Sequence, residues 1–236
     1  MSIVLATLVA VTTVFGGLLP LYTRLREVEM RYLIGFASGV MISTAFFEIL
    51  PEVEELTFEN SLFLGLGFFA LYALEKSILI HACGESECEI HNSIGWVSLI
   101  GIGAESLVDG LAIAVGFAES PLLGITIAVA VALHEIPRGF STTVIMKNSN
   151  YSRRSVFGAL AVDSLLTPLG ALVGLFFPAG LFGPIIAFTA GTFIYVGASD
   201  LLPDAHRKFN TKVITSVLSG AMIIPLVVFF LAARQN

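Results

Sequence analysis

Charge is scarce in this chain of 236 residues. Lys, Arg, Asp and Glu make up 13% of it and hydrophobic residues 56%, whereas a soluble domain carries about a quarter charged residues. That balance excludes an ordinary soluble fold. Alternating barrel strands are missing too, so any membrane-spanning segment must be a helix, because open sheets leave backbone groups unsatisfied in lipid. No phosphate-binding G-x-x-x-x-G-K occurs, which argues against a self-contained ATP-driven pump. The first apolar segment has no basic stretch before it and no clear small-residue cleavage site, so it is expected to be a retained span rather than a signal peptide. The net charge of −6 says little, because the charges sit in particular loops. Neither an enzymatic activity nor a nucleic-acid partner is expected.

What the chain has in quantity is apolar runs of about 20 residues, the length needed to cross a bilayer. Eight are read, at 2–22, 31–51, 61–80, 94–118, 121–146, 155–177, 183–203 and 212–233. The expected fold is an all-α membrane protein forming one transmembrane domain over residues 1–236. Basic residues set its orientation. With the N-terminus outside, the inner connections hold Arg24, Arg26, Arg31, Lys76, Lys147, Arg153, Arg154, Arg207, Lys208 and Lys212, and the outer side holds only Arg234. Lys and Arg concentrate in short cytoplasmic loops. Both termini are therefore expected outside, in a cell's inner or plasma membrane.

The fourth and fifth spans carry one small polar motif twice, 29 positions apart: Glu105-Ser106-Leu107-Val108-Asp109-Gly110 and His134-Glu135-Ile136-Pro137-Arg138-Gly139. Positions i and i+4 share a helix face, so Glu105 projects with Asp109, and His134 with Arg138. An ionisable group inside a membrane costs about 2.5 kcal/mol or more unless paired or hydrated, and usually marks an ion or substrate path. Carboxylate oxygen and imidazole nitrogen suit divalent first-row metals, zinc above all. Glu105, Ser106, Asp109, His134 and Glu135 are thus the candidate metal ligands. Pro137 removes a backbone N–H and frees a carbonyl near His134. Gly110 and Gly139 permit close helix approach. A structural Arg138–Asp109 salt bridge is the rival reading of the same residues. The likeness of His134-Glu135 to the zinc-peptidase motif H-E-x-x-H fails at its last position, because Arg138 cannot ligate a metal while charged.

A second match relates the second and seventh spans. Ile34/Ile186, Phe36/Phe188, Gly39/Gly191, Ile42/Ile194, Leu50/Leu202 and Pro51/Pro203 are identical at a gapless offset of 152, and Glu48/Asp200 and Glu52/Asp204 keep their charge. An odd number of steps separates these spans, so they cross in opposite directions. Inverted repeats of this kind are typical of secondary transporters with a midplane site.

Together these motifs resemble the ZIP (Zrt/Irt-like) family of divalent metal transporters over nearly the whole chain. The family's fourth span carries a motif like H-N-x-x-D/E-G and its fifth one like H-E-x-P-H/E. Tyr195-Val196 followed by Asp200-Leu201-Leu202-Pro203-Asp204 is also similar. The resemblance implies an inverted 3+2+3 arrangement of eight helices. It also implies passage of metal toward the cytoplasm through a site on the fourth and fifth helices, and a homodimer. The substrate would be a divalent metal ion, Zn²⁺ first, with Cd²⁺, Fe²⁺ and Mn²⁺ as further candidates. Glu105 stands where the family often has His, and Ser106 where it often has Asn. Thr167 stands where a binuclear member places a Glu, and Arg138 where a second His or a bridging Glu is expected. Because Arg stays protonated, Arg138 is expected to take the place of a second cation and to pair with Glu135, leaving one metal at Glu105, Asp109 and His134.

The connection after the third span, within residues 81–93, holds His81, Cys83, Cys88 and His91. Two thiols and two imidazoles form a candidate metal-catching set, with the thiols kept reduced on the cytoplasmic side. Glu48, Asp163, Asp200, Asp204 and His206 are candidates for lining an ion path. Two other functions fit the same residues: a membrane metal sensor that binds without transport, and a proton-coupled carrier whose Arg138 clamps a small anion.

Overall fold

A computed structural model of the protein describes residues 1–23, 27–53, 57–83, 94–148, 150–178, 181–207 and 210–232. Among them there is no strand. Helix α1 runs over Ser2–Tyr22 and α2 over Glu27–Thr44, extended by a π-helical turn at Ala45–Ile49 and a 3-10 turn at Leu50–Glu52. Then come α3 (Phe58–Cys83), α4 (Ile94–Glu119), α5 (Pro121–Asn148) and α6 (Arg153–Gly174). Helix α7 (Phe182–Ile194) continues through a π-helical stretch, Tyr195–Leu201, into the short α8 (Leu202–Ala205). Helix α9 covers Thr211–Ala232.

Each of the eight apolar runs coincides with a helical stretch. Five are long and apolar enough to cross a membrane by length and composition within the described residues: Ser2–Tyr22, Glu29–Glu52, Pro121–Val144, Arg153–Gly174 and Gly183–Ala205. Their outward faces show why the composition is so apolar. On α1, Val4, Leu8, Val11 and Phe15 are exposed, while Ala6, Val9, Ala10, Thr13, Gly16 and Gly17 are buried. Large apolar groups outside and small ones inside is the pattern of helices that pack in lipid, where backbones gain by close approach.

The main pairings are α1 on α5, α4 on α6, α2 on α9 and α3 on α7, with α4 also against α5. Each main pairing closes at glycines whose missing side chain lets backbone touch backbone. A methyl on Gly139 would run into the Thr13 carbonyl and crowd the Gly17 amide; on Gly110 it would meet the Thr167 carbonyl and the Ala171 amide. Gly16 abuts the Ile136 backbone and Gly170 the Leu107 backbone. The registers match: Gly110 and Leu107 lie 29 positions before Gly139 and Ile136, and Thr13, Gly16 and Gly17 lie 154 before Thr167, Gly170 and Ala171. The other two crossings match likewise. Gly39 meets Val217 and Ala221, and Gly220 meets Phe36; Gly191 meets Leu64 and Phe68, and Gly67 meets Phe188. The π-helical segments that interrupt α2 and the α7 rod hold Glu48 and Asp200, at the same offset of 152. Such π bulges inside α-helices are frequent at functional sites.

Candidate metal centre

Helices α4, α5 and α6 bring polar side chains to one point inside the bundle, and α1 adds one more. Ser106, Asp109, His134, Glu135, Arg138, Asp163, Thr13 and Thr167 are all buried. From α4, the one-turn spacing aims Glu105 and Asp109 toward α5. From α5, His134 and Arg138 share a face for the same reason, and the Gly110 and Gly139 crossings draw α6 onto α4 and α1 onto α5, which brings Asp163 and Thr13 to the same point.

His134 Nε2 lies 3.3 Å from Asp109 Oδ2, yet no hydrogen bond satisfies that nitrogen. Its other ring nitrogen lies 3.4 Å from the Ala130 carbonyl. Two ligand atoms about 2.1 Å from a tetrahedral zinc stand roughly 3.4 Å apart, so the His134–Asp109 separation is that of two donors to one ion. Glu135 completes a group with them: one ligand atom from each of Asp109, His134 and Glu135 falls within 4.8 Å of the others. No other such group of His, Cys, Asp or Glu was found among the described residues. Pro137 has no N–H to offer the carbonyl one turn back at Leu133, next to His134 in the chain.

Arg138 is the hub of the remaining contacts. Its NH1 lies 3.3 Å from Asp109 Oδ2 and 3.5 Å from Glu105 Oε2. Its NH2 donates to Glu135 and to the Ser106 hydroxyl, and lies 3.5 Å from Asp163 Oδ1. Ser106 in turn donates to Asp163 Oδ1 at 2.5 Å. Four carboxylates against one guanidinium leave an excess of three negative charges when all are ionised. Buried charge of that size is costly unless paired, and a dication is the economical partner. Both expected pairings of Arg138, with Glu135 and with Asp109, are present together. Glu105 reaches Arg138 but is not one of the three clustered donors.

Asp163, read from the sequence as a candidate for lining an ion path, lies within this centre. Thr13, which donates to Glu135 Oε2, has no sequence signal at all, since it stands 122 positions away on a different span. Thr167 Oγ1 is buried and without a partner. Away from the centre, Glu48 is buried with Oε1 unsatisfied, and Asp200 is exposed. Asp204 pairs with Arg207 at 2.9 Å, and His206 Nδ1 lies 3.0 Å from the Leu202 carbonyl. Cys88 and His91 of the loop set lie outside the described residues, as do the side chains of His81 and Cys83.

A bundle of lipid-facing helices around a buried, net-negative cluster of carboxylates and an imidazole defines an integral membrane protein that handles cations. The comparisons with known proteins narrow that class. The family model described as "ZIP Zinc transporter" matches residues 74–227. The chain is 28% identical over 227 residues to zinc transporter ZupT of Chlorobium chlorochromatii (strain CaD3), covering 82% of this chain and 83% of that one. It is 27% identical over 201 residues to zinc transporter ZIP13 of Pongo abelii, covering 75% of this chain and 58% of that protein. It is also 26% identical over 149 residues to zinc transporter foi of Drosophila melanogaster, covering 60% and 21%. It therefore spans most of the bacterial relative but less than two thirds of either animal one. The chain belongs to the ZIP zinc transporter family, a family of membrane-embedded metal transporters and not of enzymes.

Proposed function

We propose that this protein carries a divalent transition metal, zinc foremost, toward the cytoplasm through an intramembrane site on α4 and α5. The observation that carries this reading is the facing pair His134 Nε2 and Asp109 Oδ2, 3.3 Å apart with Glu135 beside them. The relatives it matches are zinc transporters by name. One dication occupies the centre, drawing on Asp109, His134 and Glu135, with Ser106 and Glu105 within reach as the helices shift. Arg138 stands in for a second cation. Carboxylate and water ligands release an ion faster than a closed thiolate cage, as a carrier requires.

The wider architecture follows the same reading. The chain forms one domain over 1–236 with an inverted 3+2+3 repeat, and the matched glycine crossings of α1–α5 with α6–α4, and of α2–α9 with α7–α3, support it. Both termini lie outside, on the balance of basic loops. Glu48 and Asp200 on their π turns, with Asp204 and His206, line the path. The His81, Cys83, Cys88 and His91 set in 81–93 collects metal on the cytoplasmic side, and the working unit is a homodimer. An anion carrier is disfavoured, because the Arg138 guanidinium is already engaged by Glu105, Asp109, Glu135 and Asp163.

The test is uptake of Zn²⁺, Cd²⁺, Mn²⁺ and Fe²⁺ into proteoliposomes, comparing wild type with His134→Ala. Zinc uptake that falls to the level of empty vesicles in the variant supports the reading. Uptake that ignores the substitution refutes the site. Binding without any uptake points to a sensor.

A further inference from the structure

Two cations compete for the same oxygens in this centre, and the resting guanidinium needs somewhere to go when metal arrives. Arg138 contacts Asp109 and Glu135, and these are also two of the three clustered donors. An ion bound to them repels a guanidinium on the same carboxylates. Arg138 cannot escape to water, because it is buried and one helical turn from His134 on the same face. A buried charge must keep a partner.

Two carboxylates in its reach lie outside the donor cluster. Glu105 is the more open of them, with its side chain 17% exposed. Asp163 is 2% exposed. Its Oδ1 already lies 3.5 Å from Arg138 NH2 and holds the Ser106 hydroxyl, while its Oδ2 is buried with no hydrogen-bond partner. An unsatisfied buried oxygen is expensive to maintain. One that sits beside a guanidinium with a rival cation due is an acceptor held in reserve, and an aspartate can receive a guanidinium through both oxygens at once.

We propose that Asp163 is a positioning residue that takes over the Arg138 guanidinium when metal occupies Asp109, His134 and Glu135, so that loading is an exchange of one internal cation for one external dication. This rests on the proposed metal site and adds its mechanism of charge balance. Ser106 is the pivot: it accepts from Arg138 and donates to Asp163, so the guanidinium moves along an existing chain of hydrogen bonds. The metal-free centre keeps Arg138 on the α4 and α5 carboxylates, and the loaded centre ties α5 to α6 through Asp163. Every loading event then includes moving Arg138, which keeps affinity moderate and favours release.

The experiment is a double-mutant cycle in zinc affinity, measured by calorimetry on the purified full chain with Cys83 and Cys88 replaced by Ser throughout, so that the 81–93 loop offers no thiolate site, and with melting curves as a check on folding. Asp163→Asn is expected to weaken zinc binding by about tenfold in wild type and by less than about threefold in an Arg138→Gln background, because coupled neighbours depart from additivity on this scale. Asp163→Glu should restore most of the affinity. Equal losses in both backgrounds would make Asp163 a ligand or a packing residue and overturn the proposal, as would no loss in wild type. If Asp163→Asn does not fold, Ser106→Ala is put through the same cycle, with the same dependence on Arg138 expected and its absence decisive against the proposal. His134→Ala separates the two levels. Zinc binding that ignores it overturns the metal site and this proposal together, whereas His134-dependent binding without Arg138–Asp163 coupling overturns only the exchange.

Discussion

Replacing Arg138 with Gln should weaken the empty protein and strengthen its hold on zinc. The ion would sit about 2.1 Å from Asp109 Oδ2, and Arg138 NH1 is 3.3 Å from that same oxygen. A dication and a guanidinium would thus stand roughly 4–5 Å apart. At an effective dielectric of about 20, their repulsion is about 7 kcal/mol. Relocation of the side chain within the centre relieves most of it, so the net gain in affinity on removing Arg138 is expected at ten- to a hundredfold, about 1.4–3 kcal/mol. The empty variant loses a cation from among four carboxylates, and breaking a buried pair in this way costs about 3–5 kcal/mol. Zinc at a hundred times its dissociation constant returns about 2.7 kcal/mol of that. Calorimetry and melting curves, each with and without zinc, read both effects. An Arg138→Gln protein that melts like wild type when empty and binds zinc with unchanged affinity would refute the reasoning, because Arg138 would then be neither a structural counter-charge nor a competitor.

With Cys83 and Cys88 replaced by Ser to remove the loop's thiolates, titration with Zn²⁺ or Cd²⁺ should saturate at one high-affinity ion per protomer; two would show that Arg138 does not substitute for a second metal. Gly110→Val should lower the melting temperature, since the added carbons meet the Thr167 carbonyl and overpacking costs about 1–3 kcal/mol or more. Gly65→Val, whose first carbon meets open space, is the control, and equal melting of the two would deny the tight α4–α6 crossing. Thr13→Val removes the hydroxyl that donates to Glu135; a hydrogen bond to a charged group contributes about 1.5–3 kcal/mol, and an unaltered melting curve would show that this one does not. Glu48→Gln should slow zinc uptake into vesicles while leaving the number of bound ions unchanged, and an unchanged rate would remove Glu48 from the path.

The membrane class and the eight helical stretches were legible in the sequence, because the bilayer imposes a length and a polarity that each segment must meet on its own. The two polar motifs were legible for a related reason. A charged residue such as Glu105 or Arg138 inside an apolar run has no local explanation and must have a partner elsewhere. Helical periodicity even assigned the shared faces of Glu105 with Asp109 and of His134 with Arg138. What periodicity cannot supply is which faces of which helices meet. Thr13 on α1 and Asp163 on α6 enter the centre because glycines at 16, 110, 139 and 170 let backbones touch; Asp163 signalled an ion path but not which helix it would face, and a single threonine in its own span announces nothing of the kind. The same holds for the donor set. The sequence offered Glu105, Ser106, Asp109, His134 and Glu135 as candidate ligands, and the packing of α4 against α5 gathers a ligand atom from each of Asp109, His134 and Glu135 while Glu105 lies beside Arg138. Residue types and their spacing along one helix are local properties and can be read directly. Distances between side chains on different helices follow from how closely those helices approach, and only the assembled bundle decides that.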